Sequence, residues 1–333
     1  MIHQYIERRS GNVYNENLVA DRLVQWMYGY AREKAPVVFK ALTSARVTGM
    51  LGFLNYDLLI HRRPHCIENL IKALNIDCRE CLHRPREFRN ARGLFERRIK
   101  YWQYRPMPMD DRVVVAPADA RALVGSWEEI GQLFIKEKFF SFGELLGLRQ
   151  RHWHRAFYNG DFAIFRLTPD KYHYNHLPVS GRVVDFYTID GDFHSCNPAA
   201  VVAEVTPFSK NRRVVTVIDT DVTGGTGVGL TAMVEIVALM IGQIVQCYST
   251  HHYDAPQAIR PGMFVRKGQP KSLYRPGSSV DVLFFQKGRM QFDADLLANR
   301  RRVDVQSRFS QGFRHPLVET DVQVRSSIGR ASE

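Results

Sequence analysis

The sequence has no apolar run approaching the roughly 20 residues that span a bilayer. Its beginning, Met1-Ile2-His3-Gln4-Tyr5-Ile6-Glu7-Arg8-Arg9, lacks the apolar centre of a secretory signal, and Glu7 argues against an organelle transit peptide. The expectation is a chain that stays in the compartment where it is made. Cysteine is scarce: Cys66, Cys78, Cys81, Cys196 and Cys247, an odd and scattered set that excludes a disulfide framework. Cys78-Arg79-Glu80-Cys81 has no second pair, whereas a zinc site takes about four ligands. With only His65 and His83 nearby, ordinary reduced thiols are the expected state, a Cys/His site the alternative. Internal repeats and low-complexity segments are also missing. Gly224-Gly225-Thr226-Gly227-Val228-Gly229 is followed by Leu230 where a dinucleotide fingerprint needs its third glycine, so it is read as a hairpin loop.

What is present is a chain of 333 residues, 45% hydrophobic and 24% charged, enough for one large core or two smaller ones. Its net charge of +12 favours anionic partners without choosing among lipid, nucleic acid and phosphorylated substrates. The first hundred residues read mainly as helix. Leu23, Trp26, Met27 and Tyr30 recur at helical spacing, a second apolar stretch runs from Val37 to Leu59, and His65 to Leu74 forms a further short helix. Such stripes suit packing on the rest of the protein or a membrane interface. Arg84 to Pro108 is basic with interleaved aromatics (Phe88, Phe95, Tyr101, Trp102, Tyr104), a mixture suited to single-stranded nucleic acid or to an anionic head group. After Asp111 the pattern turns to strands around Val113–Val115, Phe162–Phe165, Val183–Phe186, Val214–Ile218 and Val282–Phe285. The expected class is α+β: a helical, basic region over 1–108 and a β-rich catalytic domain over 109–333.

Three stretches carry chemistry together. Ala116-Pro117-Ala118-Asp119 follows a strand, Arg166 to Gly181 contains His173 and His176, and Tyr274-Arg275-Pro276-Gly277-Ser278-Ser279-Val280 precedes a strand. They supply an acid, two imidazoles and a serine, the set that activates a weak hydroxyl nucleophile.

These stretches resemble those of the phosphatidylserine decarboxylase family, in the family's order and along most of the chain. Ala116–Asp119 resembles its SPADG motif, and Arg166–Gly181 is close to RLAPxDYHRxHxPxxG, the most specific match. Lys267-Gly268 followed by Gly277-Ser278-Ser279 matches KG…GST. The opening Tyr5–Gly11, Phe95–Lys100, Phe140–Gly147, Asn197–Val201, Asn211–Arg213, Asp293–Leu296 and Glu319–Val322 are similar to further family elements. The resemblance implies a zymogen that cuts itself between Gly277 and Ser278 through a triad of Asp119, His176 and Ser278, and converts Ser278 into a covalent pyruvoyl group. That ketone condenses with the substrate amine and acts as an electron sink for decarboxylation. It implies His173 as proton donor or carboxylate-facing group, the cleaved fragment 278–333 as a partner, and an anionic phospholipid surface, peripheral on the inner membrane of a cytoplasmic protein, as the working place. A homodimer is compatible, nucleic acid the least expected partner, and no metal is required.

The chain departs from the family at Ala120 (for Gly), at Pro276, at Gln269-Pro270-Lys271-Ser272 within KGxExG, and at Val237 and Gln243. These changes keep two alternatives open: a pyruvoyl-dependent decarboxylase of a soluble amino acid such as tryptophan, and a non-processing relative that binds anionic lipid or nucleic acid.

Overall fold

The computed structural model describes residues 2–18, 21–44, 66–126, 139–204, 206–238, 243–277 and 279–332. The apolar stretch expected from Val37 to Leu59 is described only to residue 44, as a helix over Pro36–Leu42; its remainder and Ser278 lie outside the described residues.

β-Branched and aromatic runs become strands where Gly, Pro and Asp close them. In chain order they are β1 (Gln4–Glu7), β2 (Val13–Asn15), β3 (Val113–Val115), β4 (Ala120–Ser126), β5 (Asp161–Leu167), β6 (Tyr174–His176), β7 (Gly181–Ile189) and β8 (Arg213–Asp219). Then come β9 (Leu230–Val237), β10 (Ile244–Gln246), β11 (Phe264–Val265), β12 (Pro270–Tyr274), β13 (Ser279–Phe285), β14 (Met290–Phe292), β15 (Thr320–Val322) and β16 (Ser327–Ala331). Ten form one sheet in the order β11-β7-β8-β9-β13-β5-β4-β15-β1-β2, and β10-β12-β6 and β14-β16-β3 form two small sheets. The glycine-rich 224–229 segment is the loop of the β8–β9 hairpin, as expected.

Alternation along the strands divides the core. Phe165, Leu167, Met233, Val237, Leu283 and Phe285 pack on one face of the large sheet. Ile164, Val215, Val234, Val280, Val282 and Phe284 pack on the other, beneath Phe139, Phe208 and Phe309. β13 lies at the centre, with Val282 opposite Ile164 of β5 and Val234 of β9. Residues 278–333 therefore contribute an interior strand.

The N-terminal region departs from expectation in two ways. Its first residues are strands: β1 pairs in parallel with β15, Ile6 opposite Thr320. The helical stripe also splits. A π-helical turn over Met27–Ala31 rotates the apolar face. Val24, Met27 and Tyr28 are buried against Phe39 and Ala200, while Leu23, Trp26 and Tyr30 are exposed at 54%, 46% and 59%. Tyr28 is fixed there by the Ser195 N–H, which donates to its hydroxyl at 2.7 Å.

Candidate active site

Backbone hydrogen bonds tie the three chemical stretches together. His176 N–H donates to the Pro117 carbonyl at 2.7 Å, and Leu177 N–H to the Gln269 carbonyl at 2.9 Å. Gly268 N–H donates to the Leu177 carbonyl at 2.7 Å, and Tyr274 N–H to the His173 carbonyl at 3.1 Å. The loop Ala116–Asp119, the His173–His176 segment and the chain from Lys267 to Gly277 thus share one location. Gly277 is buried and has φ +150°, a backbone that a side chain would strain. This explains why glycine stands directly before Ser278. Ala120, by contrast, opens β4 opposite Val322 at an ordinary negative φ, so the family's glycine is not needed there.

His176 is fully buried. Its Nδ1–H donates to the Gly268 carbonyl at 2.9 Å, which leaves Nε2 as the basic nitrogen, 3.0 Å from the Tyr172 hydroxyl. Gly268 presents that carbonyl from a turn with φ +72°, which accounts for the Lys-Gly pair. The Tyr172 hydroxyl in turn meets that of Tyr253 at 2.7 Å, and Tyr101 packs edge-on to the imidazole at 4.7 Å. His173 donates Nδ1–H to the Lys171 carbonyl at 2.8 Å and stacks on Phe95 at 3.6 Å. Its buried Nε2 has no partner among the described residues.

Asp119 is buried and engaged elsewhere than His176. Arg105 donates to it from Nε at 3.0 Å and from Nη2 at 2.7 Å, and Val324 N–H donates at 2.8 Å. Burial alone would raise this carboxyl, but the Arg105 guanidinium outweighs it and holds the pKa below the usual carboxylate value. Arg105 also reaches Glu80 at 3.0 and 2.8 Å. The structure thus brings Asp119, His173 and His176 to one place, with Asp119 acting on His176 through its field rather than through a direct hydrogen bond. Ser278 lies outside the described residues, between Gly277 and β13.

The sequence reading missed the part played by the basic segment. Phe88, Phe95, Arg97, Tyr101 and Arg105 are buried, so Phe88, Phe95 and Tyr101 are not a stacking platform for bases, while Trp102 is half-buried and Tyr104 exposed. Phe95 supports His173, Tyr101 supports His176, Arg105 holds Asp119, and Glu96 accepts from Arg275 Nη1 at 2.7 Å, two residues before Gly277. Other matching motifs are structural interlocks. Arg8 pairs with Asp293 at 2.7 Å and Arg166 Nε with Glu319 at 2.9 Å, while Lys171 pairs with Asp321 at 2.8 Å.

Burial lowers both site histidines to about 3, so both are neutral near pH 7. The unfolded chain takes up protons on them below about 6.5, and the native state does not. Stability is therefore full above about pH 6.5 and is lost as pH falls toward 3, by up to about 1.4 kcal/mol per pH unit for each ring. Between pH 6.5 and about 4.5 this loss precedes that from the carboxylates, whose unfolded values lie near 4. Urea denaturation at pH 7 and pH 5 is expected to show a lower midpoint at pH 5; equal midpoints would contradict neutral buried rings.

Residues 92–310 match the model of the family described as phosphatidylserine decarboxylase. The chain is 25% identical over 301 residues to a phosphatidylserine decarboxylase proenzyme of Fusobacterium nucleatum, covering 89% of this chain and 91% of that one. It is 29% identical over 296 residues to a protein of the same name from Chlamydia trachomatis, covering 88% and 90%. A relative from Oryza sativa, phosphatidylserine decarboxylase proenzyme 2, is 33% identical over 243 residues, which cover 72% of this chain and 36% of the plant protein.

Proposed function

Because the chain belongs to the phosphatidylserine decarboxylase family, we propose that it cuts itself between Gly277 and Ser278 and decarboxylates phosphatidylserine to phosphatidylethanolamine and CO2. One observation carries this reading: backbone hydrogen bonds tie the Ala116–Asp119 and His173–His176 segments to the chain from Gly268 to Tyr274, three residues before Gly277, whose φ of +150° only glycine adopts readily.

The neutral His176 takes the Ser278 hydroxyl proton at Nε2 as the oxygen attacks the Gly277 carbonyl carbon. The Gly277–Ser278 C–N bond breaks as His176 hands that proton to the Ser278 nitrogen, so the acyl group passes to oxygen, the amine leaves neutral and the imidazole is neutral again. Loss of the Ser278 Cα proton expels the Gly277 carboxylate and leaves dehydroalanine, which water converts to pyruvoyl with release of ammonia. Asp119, kept ionised by Arg105, stabilises the imidazolium that forms on the way. The residues fit the group: Ser279, which would carry it, is buried, and the bare Nε2 of His173 is available to take a proton and return it to carbon. The pyruvoyl ketone supplies the electron sink for the pair released with CO2. The small fragment stays in place, since its β13 remains paired on both sides.

No described helix is long and apolar enough to cross a membrane. The exposed Leu23, Trp26 and Tyr30, with Arg22 and Lys34 nearby in the chain, support peripheral docking on an anionic lipid surface, as on the inner membrane.

Release of CO2 by the purified protein tests the reading. Phosphatidylserine in vesicles is expected to yield CO2 and phosphatidylethanolamine, and tryptophan in solution none. CO2 from tryptophan and not from the lipid would transfer the function to a soluble amino acid; none from either would contradict a decarboxylase.

A further inference from the structure

On the face of the large sheet that carries Val237 and Leu283, apolar packing gives way to a buried polar cluster beside the cleavage junction. Glu235 of β9 stands opposite Asp281 of β13, and Ser279 lies two residues before Asp281 on the same face. β6 and β12 supply the opposite wall with Asn175, Lys271 and Tyr274. All six side chains are at most 1% exposed.

Glu235 is fully served. Lys271 Nζ donates to it, and Asn175 Nδ2 donates to it at 3.2 Å. Asp281 receives only the Tyr274 hydroxyl, on one oxygen, at 2.7 Å. Asn175 Oδ1 and Asp281 Oδ2, whose residues flank Glu235, and Ser279 Oγ, two residues along β13 from Asp281, have no partner among the described residues. Buried polar atoms are seldom left so, and a cluster of them marks a place for a polar ligand group. Burial, and the neighbouring Glu235 charge, raise the Asp281 carboxyl well above its usual value.

We propose that Asn175 Oδ1, Ser279 Oγ and Asp281 Oδ2 form the seat for the substrate's ammonium group. Three acceptors match the three N–H bonds of a primary ammonium. Ser279, the first residue of β13, directly follows Ser278 in the chain, and Asp281 comes two residues later. This inference rests on the proposed function and adds to it the group that prepares the amine. An ammonium entering the seat displaces the Asp281 proton to solvent, and the carboxylate then takes one proton from the ammonium. The amine is left with the free electron pair that attack on a ketone requires, and Asp281 is neutral again. Seat and ketone together select amino-acid head groups, lipid-borne or free.

Two measurements test the seat. In the Ser278→Ala chain, where condensation is impossible, ethanolamine is expected to raise the melting temperature and choline, which lacks N–H donors, is not. Adding Asp281→Asn is expected to abolish the ethanolamine shift. Glycerophosphoserine acting at lower concentration than tryptophan assigns a lipid head group, and the reverse order a free amino acid; either supports the seat. In the cleaved protein, Asp281→Asn is expected to slow methylamine capture, trapped by cyanoborohydride and read by mass, at least tenfold. Methoxyamine, already neutral, is expected to react at the wild-type rate. If Asp281→Asn is not cleaved, Asn175→Ala, on the opposite wall, is used in both assays with the same expectations. Equal shifts with ethanolamine and choline, or methylamine capture at the wild-type rate in the variants, would overturn the seat. A wild-type chain that stays uncut would instead remove the proposed function while leaving the melting test intact.

Discussion

Replacing Ser278 by alanine is expected to leave one uncut chain with decarboxylation at background. The variant removes a single hydroxyl, but in the proposed chemistry that oxygen attacks the Gly277 carbonyl, and the same residue supplies the ketone. No other hydroxyl can substitute, because the ketone must form at the new N-terminus created by the cut. The fold is expected to survive. β13 starts at Ser279 and pairs over seven positions with both β5 and β9, and none of those pairs involves residue 278. Denaturing electrophoresis and circular dichroism check both halves of the expectation. A cleaved Ser278→Ala chain would move the scissile bond elsewhere, and a misfolded one would make Ser278 structural.

The second large effect is expected at Arg105. Its guanidinium divides its donors between Asp119 and Glu80, and its side chain is only 6% exposed. Arg105→Met leaves the Asp119 carboxylate buried with the Val324 N–H as its remaining donor. Breaking a buried pair from one side costs about 3–5 kcal/mol. Burial, no longer opposed by the guanidinium, then pushes the Asp119 carboxyl up, and a neutral acid cannot stabilise the imidazolium on His176. Self-cleavage is therefore expected to slow along with the loss of stability. Arg105→Lys keeps the charge without the fork and is expected to fall between. Urea denaturation in the Ser278→Ala background measures the first effect and a cleavage time course the second. Unchanged values in both would mean that Asp119 is held by something other than Arg105.

How far each feature was legible follows from its physical origin. The runs around Val113, Phe162, Val183, Val214 and Val282 declare themselves because β-branched and aromatic residues on a pleated sheet alternate between two cores. β1 does not, because its partner Thr320 comes from the far end of the chain and four residues carry no period. Asp119, His173 and His176 were legible through the stretches around them. Arg105 was not: its charge matches that of the surface arginines Arg84, Arg86 and Arg89, and only the tertiary fold distinguishes the one that is buried on an acid. The stripe of Leu23, Trp26, Met27 and Tyr30 was read at helical spacing, but only Met27 of it is buried, while Leu23, Trp26 and Tyr30 are exposed. Lys271, which looked like a loop departure, is fully buried and paired with Glu235.

The central claim is that Ser278 becomes a pyruvoyl group, and the mass of the small fragment tests it most directly. The account predicts a fragment of residues 278–333 lighter by one ammonia than the same peptide beginning with serine, and resistant to stepwise degradation from its N-terminus. A fragment beginning with an ordinary Ser278 amine would mean simple hydrolysis at the junction, and an uncut wild-type chain would mean no processing; either would contradict the account.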